Sequence, residues 1–143
     1  MKVLVRLSEE EISVDFYSQI VAEYPECGGV VTFSGVIRNV NAGKQVQSIE
    51  YQSYESLAYK ELKKIAHQAA EAYALSHVTL IHRLGKMEIG EMAVWVQTIA
   101  PHRQEAFQAN QFTMNRLKKT VPIWKKETYT DGTHSWPVCS EGH

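Results

Sequence analysis

Apolar positions along the chain follow two different periods, and the switches between them set the expected order of elements. Residues 2–7 alternate and are rich in valine and leucine, which predicts a strand with one face on a core. Ser13 then offers an N-cap, with Asp15 in the first turn, for a helix running to about residue 22. Pro25-Glu26-Cys27-Gly28-Gly29 breaks that helix. Residues 30–37 form a β-branched run and predict a strand. Residues 39–43 predict a turn and residues 45–54 a second strand, so the two strands are expected to pair as a hairpin.

The clearest helix follows. Ala58, Leu62, Ile65, Ala69 and Tyr73 recur at steps of four and three, while Lys60, Glu61, Lys63, Lys64, Gln68 and Glu71 fill the other face. Residues 77–83 predict a strand, 85–90 a turn-rich connection, and 92–99 another strand. Pro101 stands where a third helix can open. Phe107, Asn110, Met114 and Leu117 mark one stripe of it, and Pro122 lies just past its end. From Thr128 onward the chain is polar and is expected to be irregular, with a tight turn at Asp131-Gly132.

The order β-α-β-β-α-β-β-α favours an α+β fold with a mixed, mostly antiparallel sheet and packed helices over a doubly wound parallel sheet. The 143 residues suit one domain, 1–143, and the 44% hydrophobic content is enough to fill a core. No run approaches the ~20 apolar residues that span a bilayer. Arg6 cuts the first apolar run too early for a signal peptide, so a cytoplasmic protein is expected, with no membrane partner. The two cysteines, Cys27 and Cys139, permit a disulfide but nothing demands one, and they make no zinc site by themselves.

Net charge is only −1, but it is unevenly spread. Between 103 and 126 stand Arg103, Arg116, Lys118, Lys119, Lys125 and Lys126, against Glu105 alone. A cationic segment in a neutral protein points to a local anion site rather than to nucleic acid, which usually selects a basic domain. His102 and Arg103 fall at the start of the third helix, where positive charge opposes the helix dipole unless an anion binds there; Arg103 can equally pair with Glu105. Lys118 and Lys119 have an easy structural role, complementing the dipole at the helix end. In Pro122-Ile123-Trp124-Lys125-Lys126-Glu127, a lysine held on a rigid support can serve as acid, base or nucleophile. Arg38 ends a strand, as a solvated loop arginine or as a binding group. His67 and His82 read as ordinary polar contacts. No Walker loop, dinucleotide fingerprint or nucleophile elbow is present.

Taken together, these segments resemble the large, catalytic subunit of the molybdopterin synthase family. The resemblance is carried by Phe33-Ser34-Gly35-Val36-Ile37-Arg38 with Asn41-Ala42-Gly43, by Tyr51-Gln52-Ser53-Tyr54-Glu55-Ser56-Leu57-Ala58, by Ile81-His82-Arg83-Leu84-Gly85, by His102-Arg103 before Ala106-Phe107, and by Leu117-Lys118 before Pro122-Ile123-Trp124-Lys125-Lys126-Glu127. Order and spacing match from about residue 28 to 136. Gln52 and Asn115 stand where the family often has acidic residues.

The resemblance implies a hammerhead-like α/β arrangement with a small extra β subdomain. It implies a heterotetramer, in which a homodimer of large subunits carries a small ubiquitin-like sulfur carrier at each end. The carrier's C-terminal Gly-Gly thiocarboxylate would enter a pocket and convert cyclic pyranopterin monophosphate, a pterin phosphate, into molybdopterin in two sulfur transfers. No metal or organic cofactor is implied in this subunit. By the same resemblance Lys118 and Lys125 are the catalytic lysines. Arg38, His102 and Arg103 would bind the phosphate, Phe33, Val36, Ile37 and Met114 would line the substrate pocket, and Lys126 and Glu127 would complete its edge. Three rival readings are an RNA- or phosphate-binding module, a cysteine-dependent sulfurtransferase using Cys27 or Cys139, and a scaffold for a ubiquitin-like partner.

Overall fold

The computed structural model describes residues 2–137. A four-stranded sheet has the order β1-β5-β7-β2, formed by β1 (Val3–Ser8), β5 (His77–Arg83), β7 (Met92–Ala100) and β2 (Gly29–Val36). Only β1 and β5 run parallel; β5 pairs antiparallel with β7, and β7 with β2. Two helices, α2 (Glu55–Ala72) and α3 (Arg103–Thr120), pack on one face of this sheet. Of the stripe expected on α2, Ala58, Leu62, Ile65 and Ala69 are 0–2% exposed, the last three packing with Val78, Leu80, Val94 and Val96 of the sheet, while Tyr73 caps the helix end and is partly buried.

The other face is covered by a short helix, α1 (Val14–Ser18), and a 3-10 turn (Gln19–Glu23). Ser13 caps α1 as expected, its hydroxyl accepting from the Phe16 amide at 3.4 Å. Tyr17 then lies against Trp95, with ring centroids 5.7 Å apart. The expected helix to residue 22 is therefore one α-helical turn that tightens into 3-10 geometry.

A second sheet stands beside the first, in the order β3-β4-β8-β9, with β6 also paired to β4. Its strands are β3 (Val40–Asn41), β4 (Lys44–Ser53), β6 (Gly85–Glu88), β8 (Ile123–Tyr129) and β9 (His134–Ser135). It has a core of its own, including Ile37, Val46, Ile49, Tyr51 and Met87. This is the extra β subdomain of the expected α+β architecture.

Three expectations are corrected. Residues 30–37 and 45–54 do not pair with each other. A two-residue turn at Ala42-Gly43, with φ of 50° and 80°, closes β3 onto β4 instead. The register of β2 also shifts between Gly35 and Val36, where the chain leaves the first sheet, and β2 pairs with β7. Residues 85–90 are not simply a connection, because Gly85–Glu88 forms β6 against β4 and buries Met87 completely. The tail is not irregular from Thr128: β8 runs to Tyr129 and is followed by β9, with the Asp131-Gly132 turn between them.

The α3 stripe also divides. Asn110, Met114 and Leu117 are buried, whereas Phe107 is 62% exposed. Asn110 explains a polar residue on an apolar stripe: its amide nitrogen donates to the carbonyls of Val31 on β2 and Val96 on β7, each at 3.1 Å. This fixes α3 over the seam between those strands and sets the height of Met114 and Lys118 beside β2. Among the described residues no helix is long and apolar enough to cross a membrane. Cys27 is a free thiol that donates to the Ser76 hydroxyl at 3.1 Å. Cys139 lies outside the described residues.

Candidate active site

The candidate residues fall into three places. The first is a small cleft in the β subdomain, lined by Val36 at the end of β2 with Ile37 and Arg38 after it, by Tyr51 on β4, and by Lys125 and Glu127 on β8. Hydrogen bonds from the Ile37 amide to the Glu91 carbonyl and from the Gly90 amide to the Ile37 carbonyl, both 2.9 Å, clamp the chain as it leaves β2. Arg38 follows at once and is exposed. Tyr51 pairs in register with Lys125, and Ile49 with Glu127, so the lysine and the carboxylate share the inner face of β8.

Lys125 is 4% exposed and Glu127 is 1% exposed, with Nζ and Oε2 3.7 Å apart. Two buried charges are tolerated only when their remaining hydrogen-bonding capacity is met. Glu127 meets it: Oε2 accepts from the Asn41 amide at 2.8 Å, and Oε1 from the Tyr129 hydroxyl at 2.9 Å. Tyr129 also bonds the Ser135 hydroxyl of β9. The Ser135 bond pulls the Tyr129 phenol down, but burial and the adjacent Glu127 outweigh it and hold the phenol above its ordinary range. Lys126 points the other way on β8, half-buried. It therefore does not share the cleft with Lys125 and Glu127.

The second place is an open groove of about 490 Å³ between β2 and α3. Phe33, Phe107, Met114 and Lys118 line it. Lys118 sits half-buried in the last turn of α3. From there the chain turns at Val121-Pro122, where the Ile123 amide donates to the Val121 carbonyl at 2.8 Å, and enters β8 towards Lys125.

The third place is the start of α3. His102 is the N-cap residue and Arg103 the first helical residue, both exposed. The His102 side chain makes no capping hydrogen bond. Among the described residues Arg103 forms no ion pair with Glu105. The helix start presses on β2: a Cβ added to Gly29 would lie 2.6 Å from the His102 carbonyl. The two ends of α3 are far apart. Fifteen residues at 1.5 Å each separate Arg103 from Lys118 by roughly 22 Å. Within one chain His102 and Arg103 therefore do not adjoin Lys118.

His82, adjacent to the β subdomain, is a core residue. It is 1% exposed, its Nδ1 bonds the Arg83 carbonyl at 2.7 Å, and it meets the Tyr51 ring edge-on at 5.1 Å. Burial depresses its pKa to about 4, against a smaller raising effect of the Arg83 carbonyl. The sequence reasoning missed Asn41, Tyr51 and Tyr129 as members of the Lys125 surroundings. For Tyr129 the signal lay in the period-two spacing with Lys125 and Glu127; Tyr51 meets Lys125 only through the register of β4 with β8, and Asn41 offered only turn chemistry.

A family model described as MoaE protein matches residues 7–120. A molybdopterin synthase catalytic subunit from Taeniopygia guttata is 40% identical over 141 residues, which is 98% of this chain and 90% of that protein. Among solved structures, the molybdopterin biosynthesis MoaE protein from Burkholderia ambifaria superposes with a TM-score of 0.82 at 29% identity, covering 100% of this chain and 93% of that one. A chain from the complex of subunits 1 and 2 of the Helicobacter pylori molybdopterin-converting factor shares the fold, with a TM-score of 0.73 at 18% identity over 94% of this chain and 88% of that one. With the family model matching most of its length, the chain belongs to the MoaE family, that of the molybdopterin synthase catalytic subunits.

Proposed function

We propose that the chain acts as one catalytic domain in the cytoplasm, moving sulfur from the C-terminal thiocarboxylate of a small ubiquitin-like carrier onto cyclic pyranopterin monophosphate to build the dithiolene of molybdopterin. The observation that carries the assignment of roles is the buried Lys125 in its cleft, with Arg38 at the edge and Glu127 beside it. A guanidinium presents a planar fork to a phosphate, which suits Arg38 to the substrate's cyclic phosphate. Opening that phosphate and attacking with sulfur both require proton transfer and stabilisation of developing negative charge. Lys125 and Lys118 take those roles. Val36 and Ile37 form the apolar wall of the cleft and Phe33 and Met114 that of the groove beside Lys118, and Glu127 stands next to Lys125.

The distance between the ends of α3 supports drawing His102 and Arg103 from a second copy. In a two-fold homodimer the start of one α3 can meet the end of the other, so each site takes its lysines from one subunit and His102 and Arg103 from its partner. The carrier binds each large subunit, giving a heterotetramer; the Helicobacter pylori complex of two subunits supports such a partner. The sulfur arrives on the carrier's tail, so the free thiol of Cys27 needs no catalytic role.

The test is conversion of cyclic pyranopterin monophosphate by the protein with a thiocarboxylated carrier. Lys118→Ala and Lys125→Ala are expected to remain folded and carrier-bound while losing most activity. Full activity in both would exclude the proposed roles.

A further inference from the structure

Resting on the reading that Lys125 takes part in the transfer, we infer that Asn41 is a positioning residue for it, acting through Glu127. The Asn41 amide occupies the carboxylate oxygen that Lys125 would otherwise seize. The distances carry this. Charge-assisted N–H···O bonds run at about 2.7–2.9 Å, whereas Lys125 Nζ stands 3.7 Å from Glu127 Oε2. That oxygen is within 2.8 Å of the Asn41 amide nitrogen, and the other carboxylate oxygen is held by Tyr129 at 2.9 Å. Glu127 is thus close enough to stabilise the lysine's charge but does not clamp it, and the ammonium stays at the cleft.

Asn41 reaches Glu127 because of the hairpin that sequence reading took for a plain turn. Its two-residue strand is fixed by the Ala42-Gly43 turn and by the Val46 amide donating to the Asn39 carbonyl at 2.8 Å. The other end of the hairpin is held as well, since Lys44 lies 4.8 Å above the Tyr129 ring. One side of the cleft is therefore tied to Glu127 by a donor 86 residues away in sequence.

Removing the Asn41 amide frees Oε2, and the ammonium then moves onto it. A tighter carboxylate partner favours the charged lysine. The other ionisable groups around this pair are Arg38 after β2, Tyr51 on β4 with His82 of β5 at its edge, Tyr129 on β8, and Lys44 on the hairpin. None of them is altered by Asn41→Ala.

The experiment is single-turnover molybdopterin formation across pH, with carrier bound, for wild type, Asn41→Ala, Tyr129→Phe and Lys125→Ala. Asn41→Ala is expected to slow turnover about tenfold and to move the pH–rate profile upward by about half a unit or more, with carrier affinity unchanged. Tyr129→Phe frees the other oxygen and shifts the profile the same way, so it carries the test if Asn41→Ala does not fold. A profile that stays in place, whatever the rate, overturns the inference, because a merely structural residue would change stability alone. Lys125→Ala at the wild-type rate would instead remove the reading on which the inference rests.

Discussion

Arg103 and Lys118 stand at opposite ends of one helix, roughly 22 Å apart. No side-chain rotamer brings the two groups into contact within one chain, and the proposed function accordingly draws them from two chains. This gives a complementation prediction. Arg103→Ala and Lys118→Ala are each expected to be nearly inactive alone. After the two are unfolded and refolded together, about a quarter of the sites should combine an intact Arg103 with an intact Lys118, and activity should return to that extent. Activity that stays at the level of the single variants would contradict a shared site.

Asn110 predicts a stability effect. Its amide bonds the Val31 and Val96 carbonyls at the seam of β2 and β7, under α3. Asn110→Ala removes both bonds and leaves a small gap. The expected loss is on the order of 2 kcal/mol, read from urea unfolding midpoints. A change within the error of the midpoint would show that water replaces the amide there.

Gly29 has no room for a side chain, because the backbone at His102 occupies the space a Cβ would need. Gly29→Ala should force the start of α3 away from β2, at a cost of about 1–3 kcal/mol. If His102 and Arg103 serve the site, activity should fall even at temperatures where the variant is fully folded. Wild-type activity in the folded variant would separate the helix start from catalysis.

His82 ties stability to pH. Its pKa is near 4 in the folded protein and near 6.5 when unfolded, so between those values the unfolded chain binds more protons. Stability from this residue is therefore present above pH 6.5 and lost as pH falls towards 4, in total on the order of 3 kcal/mol. Unfolding free energy measured from pH 7 to 4 should drop less steeply in His82→Gln than in wild type. Parallel slopes would show that His82 stays exposed to protonation in the folded state.

The residues explain why some elements were legible and others were not. The α2 stripe of Ala58, Leu62, Ile65 and Ala69 is apolar against a charged face, and all four are buried as read. By contrast β8 buries Lys125, Glu127 and Tyr129 and turns Trp124 and Lys126 the other way. Its period of two is intact, but two of the three buried positions are charged, so a hydrophobic pattern could not reveal it. The pairing of residues 30–37 was misread for a different reason. Strands adjacent in sequence usually pair, and only long-range partnering of β2 with β7 overrode that. The site shows the same division. Phe33, Met114 and Lys118 share a groove and Val36, Ile37, Arg38, Lys125 and Glu127 share a cleft, but sequence order gave no sign that His102 and Arg103 lie elsewhere. Asn41 was legible only as a turn residue, because its partner is 86 residues away.

The measurement that bears most directly on the account is conversion of cyclic pyranopterin monophosphate to molybdopterin by wild type and Lys125→Ala, each saturated with thiocarboxylated carrier. The account predicts product from wild type and a loss of about 100-fold or more in the variant, with carrier affinity and fold retained. Equal rates for the two proteins, or no product from a folded wild type that binds its carrier, would contradict it.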